Sequence, residues 1–387
     1  MNTPKYLEIA ELIRIDIFVK YTKANQLIPS IRRYAQIYNV NPNTVSRAFR
    51  LLEADSIIYP YRTRGYYVSE NIQKKKEEYG RKCAKHLLNV LQRLGCSDVE
   101  IENMINAHIM DGVAVTRFIY WLKHNVSKEK MTEISIANKL EEFRKSWKTY
   151  LAPSFETIVG YADHGAIVHY SATKETDYEV KADNFVLIDS GGHYVEGTTD
   201  ITRTIALGNI STEQKKMYTA VLRGNLKLAN AKFLSGCTGV SLDYVARQPL
   251  WEIGYDYRHG TGHGVGYLLN VHEQPNAFRY MLRENVAEFK PGMITSDEPG
   301  VYLEGQYGIR LENLLLCVEK QVTEYGQFLG FDTLTLVPFD VDAIDVNIMS
   351  DYEIRLLRQY HKLVYKKISP YLNIEEQEWL YEVCMEI

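Results

Sequence analysis

Five side chains of metal-binding type lie between residues 189 and 312, each in an apolar or glycine-rich stretch: Asp189, Asp200, His263, Glu298 and Glu312. An acidic residue that ends an apolar run, as in FVLID, needs a partner to offset its lost hydration, and a bound cation is such a partner. Hard carboxylate oxygens with one imidazole suit Mn²⁺, with Zn²⁺ or Co²⁺ as alternatives. Two divalent ions bridged by carboxylates can hold a hydroxide, so the indicated chemistry is attack by a nucleophile generated at neutral pH.

The apolar pattern predicts the elements that position these residues. One strand is expected to deliver Asp189, and a second strand, after bends that glycines allow, to bring Asp200 back beside it. Glu312 is expected inside an apolar strand. Strand-rich stretches lie at 185–207 and 308–318, with helical patterns at 211–234 and 242–251.

Composition places the chain among ordinary globular proteins, because 45% of its 387 residues are hydrophobic and 24% are charged. No apolar run approaches the roughly 20 residues needed to span a bilayer, and the N-terminus lacks the basic-then-apolar order of a signal peptide. We therefore expect a cytoplasmic protein without membrane contact. The five cysteines are scattered, which argues against disulfides and against a thiolate zinc site.

The net charge of −4 is unevenly distributed along the chain. Residues 1–75 hold 12 basic and 6 acidic residues, a net charge of +6, which leaves −10 for the remainder. A modest basic excess only permits contact with nucleic acid, and a solvated basic face is the simpler explanation. Charge alone therefore favours a solvated face.

The first 70 residues predict three helices followed by a hairpin. Ser30 and Asn41 can cap the second and third helices, and Pro42 suits the first helical position. Helix, helix, turn, helix and basic hairpin in this order predict a winged helix-turn-helix. Its third helix is expected to present four side chains to a major groove, and its wing two arginines to DNA: Asn43, Thr44, Ser46 and Arg47, then Arg62 and Arg64.

The stretch from IPSIRRYAQIYNVNPNTVSRAF to the wing strand GYYV resembles the GntR family of bacterial repressors, specifically its YtrA-like branch. That resemblance implies that Arg32, Thr44, Arg47 and the wing around Gly65 touch DNA. Two positions depart from the family pattern. Ile31 stands where the family usually has Glu, and Ser56 stands where it usually has Gly.

From about residue 100 onward the chain resembles the pita-bread metallopeptidases and, in detail, the catalytic domain of aminopeptidase P. The motifs that carry the resemblance are GAIVHYSAT, LIDSGGHYVEGTTDITRT, RHGTGHGVG, LNVHEQP, DEPGVY and TLTLVPFD. Methionine aminopeptidase and prolidase share the ligand set, but GTTDITRT, HGTGHG and the C-terminal extension favour aminopeptidase P. That enzyme normally has one or two domains ahead of the catalytic one, where this chain has the DNA-binding segment, so oligomeric state and preferred peptide length stay open.

The second resemblance also implies roles for single residues. Asp189 would hold one metal ion, His263 and Glu298 the other, and Asp200 and Glu312 would bridge both. Glu298 would also act as general base. Three histidines would line the substrate channel and stabilise the oxyanion and the carbonyl after proline, and one arginine would orient carboxylates: His169, His259, His272 and Arg310.

These patterns together predict a multidomain α/β (α+β) protein. We expect a winged helix-turn-helix at 1–70, a helical linker at 71–99 and a pita-bread domain at 100–387. The predicted function is a dinuclear-metal Xaa-Pro aminopeptidase that acts on peptides with proline at the second position, binds double-stranded DNA and forms a homodimer. The alternative is a GntR-type regulator whose peptidase-like domain senses peptide or metal. The complete set of acid and base groups favours the enzyme, because a pure sensor does not need them.

Overall fold

The computed structural model describes residues 4–21, 23–61, 64–80, 97–268, 270–282 and 286–385. The chain divides into two compact units, Met1–Leu87 and Leu88–Ile387. Most of the predicted linker at 71–99 lies outside the described residues. No helix in the described part of the chain is long and apolar enough to cross a membrane.

The first unit is a small winged helix-turn-helix. Its elements are α1 (Lys5–Lys20), α2 (Ile31–Ile37), α3 (Pro42–Ala54), β1 (Ile58–Tyr61), β2 (Gly65–Val68) and α4 (72–80). Both predicted N-caps are present, because Ser30 Oγ accepts a hydrogen bond from Arg33 N and Asn41 Oδ1 accepts one from Asn43 N. The apolar stripe of α3 is fully buried against α1 and α2, and consists of Val45, Ala48, Phe49 and Leu52.

Ser56 adopts a left-handed backbone conformation, with φ of 56°, directly after α3. This conformation crowds the Cβ of an L-residue, and glycine adopts it without that cost. The turn into β1 therefore has left-handed geometry at Ser56, the position where the GntR family usually has glycine.

The second unit mixes helices and antiparallel strands. Its helices are α5 (Ser97–Asn125), α6 (Glu133–Lys145), α7 (Thr212–Ala229), α8 (Gly239–Trp251), α9 (Asp351–Ile368) and α10 (Ile374–Met385). Its strands are β3 (Met131–Thr132), β4 (Tyr150–Pro153), β5 (Ile158–Tyr161), β6 (Glu179–Val180), β7 (Asp183–Ser190), β8 (Gly192–Tyr194), β9 (Gly197–Thr198), β10 (Ile201–Gly208), β11 (Lys232–Leu234), β12 (Gly262–Gly264), β13 (Glu273–Phe278), β14 (Ile294–Asp297), β15 (Gly300–Leu303), β16 (Tyr307–Arg310), β17 (Asn313–Thr323) and β18 (Gly326–Thr333).

Two sheets position the residues of interest. One has three strands in the order β10-β7-β5, and the other has six in the order β11-β18-β17-β14-β12-β13. The central strand β7 reads as a continuous apolar run because Val186, Leu187 and Ile188 are all buried. The helical pattern predicted to reach residue 234 ends at Ala229, because Lys232–Leu234 pairs with β18 instead.

Candidate metal centre

Asp189 and Asp200 lie where the end of β7 pairs with the start of β10. Asp189 of β7 is paired with Thr202 of β10, and Asp200 precedes Thr202 by two residues. Asp200 lies one residue before β10, and its side chain lines the same cavity as that of Asp189. The second strand thus brings Asp200 back beside Asp189, as the pattern predicted.

Glu312 lies in the two-residue link between β16 and β17, so the prediction that it sits inside a strand was wrong. Its backbone N–H donates to the carbonyl of Thr202 at 3.0 Å. This hydrogen bond lies at the point where the chain leaves the strand pairing of β16 and enters that of β17. The Thr202 hydroxyl also donates to Glu312 Oε2 at 2.8 Å. These two hydrogen bonds to Thr202 therefore hold the Glu312 carboxylate against β10.

His263 and Glu298 approach the cluster from β12 and from the end of β14. His263 Nδ1 donates to the carbonyl of Gly264 at 2.9 Å, which leaves the lone pair of Nε2 facing the cluster. That nitrogen lies 3.5 Å from Asp200 Oδ2 and 3.4 Å from Glu298 Oε1. Ligand atoms of Asp200, His263 and Glu312 all lie within 4.8 Å of one another.

Burial and mutual repulsion shift the acid–base properties of this cluster. Desolvation raises the pKa of Glu298 to about 8. Burial, and then the charges of neighbouring carboxylates, raise the pKa values of Asp200 and Glu312 well above their usual range. Burial lowers the pKa of His263 to about 4, so its imidazole is neutral at pH 7 and can act as a ligand.

The donor set fits divalent cations. Asp189 Oδ1 and Glu312 Oε1 are buried and have no hydrogen-bond partner among the described residues. Buried carboxylate oxygens without a partner are costly, and a lone pair on His263 that faces two carboxylates adds repulsion. A cation between these atoms would remove both penalties, and oxygen-rich sites with one imidazole suit divalent metals.

Arg310 contacts the centre through its whole guanidinium group. Its Nη2 donates to Asp189 Oδ2 at 2.6 Å, its Nε to the Thr202 hydroxyl at 3.2 Å and its Nη1 to Tyr302 Oη at 2.9 Å. One guanidinium therefore orients the carboxylate of Asp189 and connects it to two neighbouring hydroxyl groups.

Tyr302 is a residue of the site that the sequence analysis missed. Its hydroxyl accepts from Arg310 and lies 2.8 Å from Nε2 of His259, whose Nδ1 donates to the carbonyl of Gly260 at 2.8 Å. Burial lowers the pKa of His259 to about 4, so the ring is neutral and Tyr302 is the donor to Nε2. Both ring nitrogens of His259 are thus engaged. Tyr302 is the last residue of the motif DEPGVY, and its place in that motif is the feature of the sequence that could have indicated a role in the site.

Arg203, in the strand sequence ITRTIAL, is a second residue of the site that the sequence did not lead us to predict. It is 2% exposed and its guanidinium donates to the backbone carbonyl of Glu312 at 2.7 Å and to that of Thr202 at 3.0 Å. It also stacks on Phe339, 4.3 Å from the ring centroid. Its position as the one charged residue of β10 was the signal, and here it secures the link that carries Glu312.

The centre lies between two cavities. The five predicted ligands, Arg310, His169 and His272 all line a cavity of about 370 Å³. A second cavity of about 440 Å³ shares His169, His263, His272 and Glu298 and adds His259. The structure therefore gathers every predicted catalytic and metal-binding residue around these two adjoining spaces.

The residues predicted to touch DNA lie in the first unit. Arg32 on α2, Asn43 and Arg47 on α3, and Arg64 with Gly65 in the wing are exposed, whereas Thr44 and Ser46 are half-buried. Gly65 has φ of +111°, which disfavours a side chain there. Arg62 lies outside the described residues.

Comparison with known proteins identifies families for both units. Residues 102–319 match metallopeptidase family M24, residues 327–387 match the C-terminal region of peptidase M24, and residues 5–68 match the gntR family of bacterial regulatory proteins. Aminopeptidase P2 of Arabidopsis thaliana is 42% identical over 292 residues, which cover 74% of this chain and 41% of that protein.

Solved structures give the same result for the fold. X-prolyl aminopeptidase from Caenorhabditis elegans, described as having a di-nuclear active site, matches with a TM-score of 0.70 and 38% identity over 74% of this chain and 47% of that one. Xaa-Pro dipeptidase from Bacillus anthracis matches with a TM-score of 0.52 and 30% identity over 63% of this chain and 62% of that one. The second unit therefore has the pita-bread fold, although the chain spans less than half the length of the A. thaliana and C. elegans aminopeptidases.

Proposed function

Because the chain belongs to metallopeptidase family M24, we propose that its second unit is an aminopeptidase that hydrolyses the bond between an N-terminal residue and a following proline. The observation that carries this proposal is the convergence of Asp189, Asp200, His263, Glu298 and Glu312 on one cavity, where two buried carboxylate oxygens have no hydrogen-bond partner among the described residues. The relatives named for Xaa-Pro or X-prolyl cleavage support the choice of substrate.

Two divalent ions are the proposed cofactor, with Mn²⁺ preferred and Zn²⁺ or Co²⁺ as alternatives. We assign Asp189 to one ion, His263 and Glu298 to the other, and Asp200 and Glu312 to both. When bound, such a pair supplies Lewis acidity and activates water for attack on a carbonyl. The di-nuclear active site of the C. elegans enzyme supports two ions rather than one.

The side chains around the centre divide the remaining work. Glu298 is the proposed general base, because its buried carboxylate accepts a hydrogen bond from Ser296 Oγ at 3.1 Å and borders both cavities. His169 and His272 border the same two cavities, where they can donate to the substrate carbonyl as negative charge develops on it. Arg310 and Tyr302 hold Asp189 and His259 in place.

A hydrolysis assay tests this proposal. Metal-free protein should release free leucine from Leu-Pro-Pro after Mn²⁺ is added, and should leave Leu-Ala-Ala largely intact, because only the first peptide has proline at the second position. Absence of leucine release with Mn²⁺, Zn²⁺ and Co²⁺ alike would reject the enzyme, and equal cleavage of both peptides would reject the preference for proline.

The first unit is proposed to bind double-stranded DNA, since it matches the gntR family and exposes Arg47 and Asn43 on α3. A winged helix that reads a palindrome needs two copies, so we propose a homodimer. The match of this unit to the gntR family also favours the second candidate function, a regulator whose peptidase-like unit senses peptide or metal. A protein that hydrolyses no peptide but changes its affinity for DNA when peptide or Mn²⁺ is added would be such a sensor.

A further inference from the structure

The two cavities that meet at the metal centre differ in what they can hold. An aminopeptidase places one residue on the N-terminal side of the cleaved bond and the rest of the peptide on the other side. The cavity of about 370 Å³ contains all five predicted ligands, and the carboxylates there attract a free α-amino group. On the basis of the proposed function, this cavity suits the N-terminal residue, and the neighbouring one of about 440 Å³ suits the proline and the residues after it.

Apolar side chains form part of the lining of the smaller cavity, and its rim carries one carboxylate. Phe155, Val168 and Val271 are half-buried along the wall. Of the acidic residues that line it within the described chain, only Glu156 is not a predicted metal ligand. Glu156 is exposed, and it forms no ion pair or side-chain hydrogen bond with any other described residue.

We propose that Glu156 forms a subsite that selects peptides with arginine or lysine at the N-terminus. The ligands Asp200 and Glu312 are 4% and 2% exposed, so they form the floor of the cavity while Glu156 stands at its solvent side. A side chain that starts near the floor must be long to reach the rim. Arginine and lysine have such a length, with an aliphatic stem that packs on apolar walls and a charged end that remains in water.

The other charged groups of this cavity do not compete for that role. Arg310 is directed at Asp189 and Tyr302. The other four carboxylates, those of Asp189, Asp200, Glu298 and Glu312, are the ones that would hold the proposed metal ions. Glu156 is therefore the carboxylate left to receive a cationic side chain.

Binding of two matched inhibitors tests this subsite without depending on turnover. The probes are Arg-Pro-Pro and citrulline-Pro-Pro with the first amide reduced to a methyleneamine, because citrulline has the shape of arginine without its charge. Calorimetry on the full-length, Mn²⁺-loaded protein should show the arginine analogue binding about two- to fivefold more tightly, as for an exposed ion pair. The difference should shrink as salt is added.

Substitution of the acidic residue supplies the decisive comparison. Glu156→Gln should make the two Kd values equal, whereas Glu175→Gln, at an exposed position outside both cavities, should preserve the difference. Equal Kd values in the unsubstituted protein, a difference that persists in Glu156→Gln, or no binding of either analogue would overturn the subsite. Failure of the proposed function is seen separately, as absence of Leu-Pro-Pro hydrolysis.

Discussion

Arg310 Nη2 lies 2.6 Å from Asp189 Oδ2, while the other oxygen of the same carboxylate has no hydrogen-bond partner among the described residues. The guanidinium therefore orients this ligand and leaves one oxygen for a cation. Arg310 is itself 2% exposed, so water cannot replace it. A lysine would retain the charge but could not contact Asp189, Tyr302 and Thr202 together.

Arg310→Lys should weaken Mn²⁺ binding by about 10- to 100-fold, the usual cost of disturbing a residue that orients a metal ligand. Competition with a chelator of known affinity measures the change. Arg355→Lys, on the exposed face of α9, is the matched control and should bind Mn²⁺ as the unsubstituted protein does. Unchanged affinity in Arg310→Lys would show that Asp189 does not depend on this contact.

Glu298→Gln should lower kcat for Leu-Pro-Pro by at least about 10²-fold, because the amide cannot accept a proton during the reaction. Its size and its hydrogen bond from Ser296 are retained, so the protein should stay folded. Glu304→Gln, in the exposed turn after β15, controls for the loss of a carboxylate. A Glu298→Gln protein with near-normal kcat would remove Glu298 from the role of base.

Metal affinity should fall as the pH falls from about 8 towards 6, because bound protons compete with the cation. In the metal-free protein the pKa of Glu298 is raised to about 8 and those of Asp200 and Glu312 are raised as well. Because their folded-state pKa values are raised, these groups contribute stability to the metal-free fold that is fully present below the ordinary carboxylate pKa. That contribution is lost as the pH rises through the folded-state pKa values. The increase in Tm on adding Mn²⁺ should therefore grow with pH. An increase in Tm that is independent of pH would contradict the assigned ligands.

Arg47→Ala should cost about 1–3 kcal/mol of DNA-binding free energy and relax sequence preference, provided that Arg47 reads a base. Affinity of the unsubstituted protein should fall steeply with salt, since basic side chains release counterions from the phosphates. Lys20→Ala, at the exposed end of α1, is the control within the same unit. Identical binding of the Arg47→Ala and unsubstituted proteins across a set of DNA sequences would remove the base-reading role.

Ser56→Gly should stabilise the first unit by several tenths of a kcal/mol. Relief of the left-handed strain contributes about 1–2 kcal/mol, and the greater flexibility of glycine in the unfolded chain offsets about 0.5–1 kcal/mol of it. Hydrogen exchange of α1 to α3, followed by mass spectrometry, reports on this unit within the full chain. Ser69→Gly, where φ is not positive, should destabilise it, and the opposite order would refute the strain.

Local features were predictable because neighbouring residues determine them. The caps at Ser30 and Asn41 follow from side chains that reach the next turn of backbone, and the burial of Val45, Ala48, Phe49 and Leu52 follows from helical spacing. The five ligand types were likewise identifiable, since a carboxylate in an apolar stretch requires a partner wherever the chain places it.

Contacts between distant segments were decided only by the tertiary structure. Glu312 leaves the strand because its N–H pairs with Thr202, 110 positions earlier, and no pattern around residue 312 contains that partner. Arg203 and Tyr302 act through atoms of distant segments, so their side chains alone did not reveal their roles. The raised pKa of Glu298 also arises only after folding, because burial and neighbouring charges exist only once four separate segments have packed around one point.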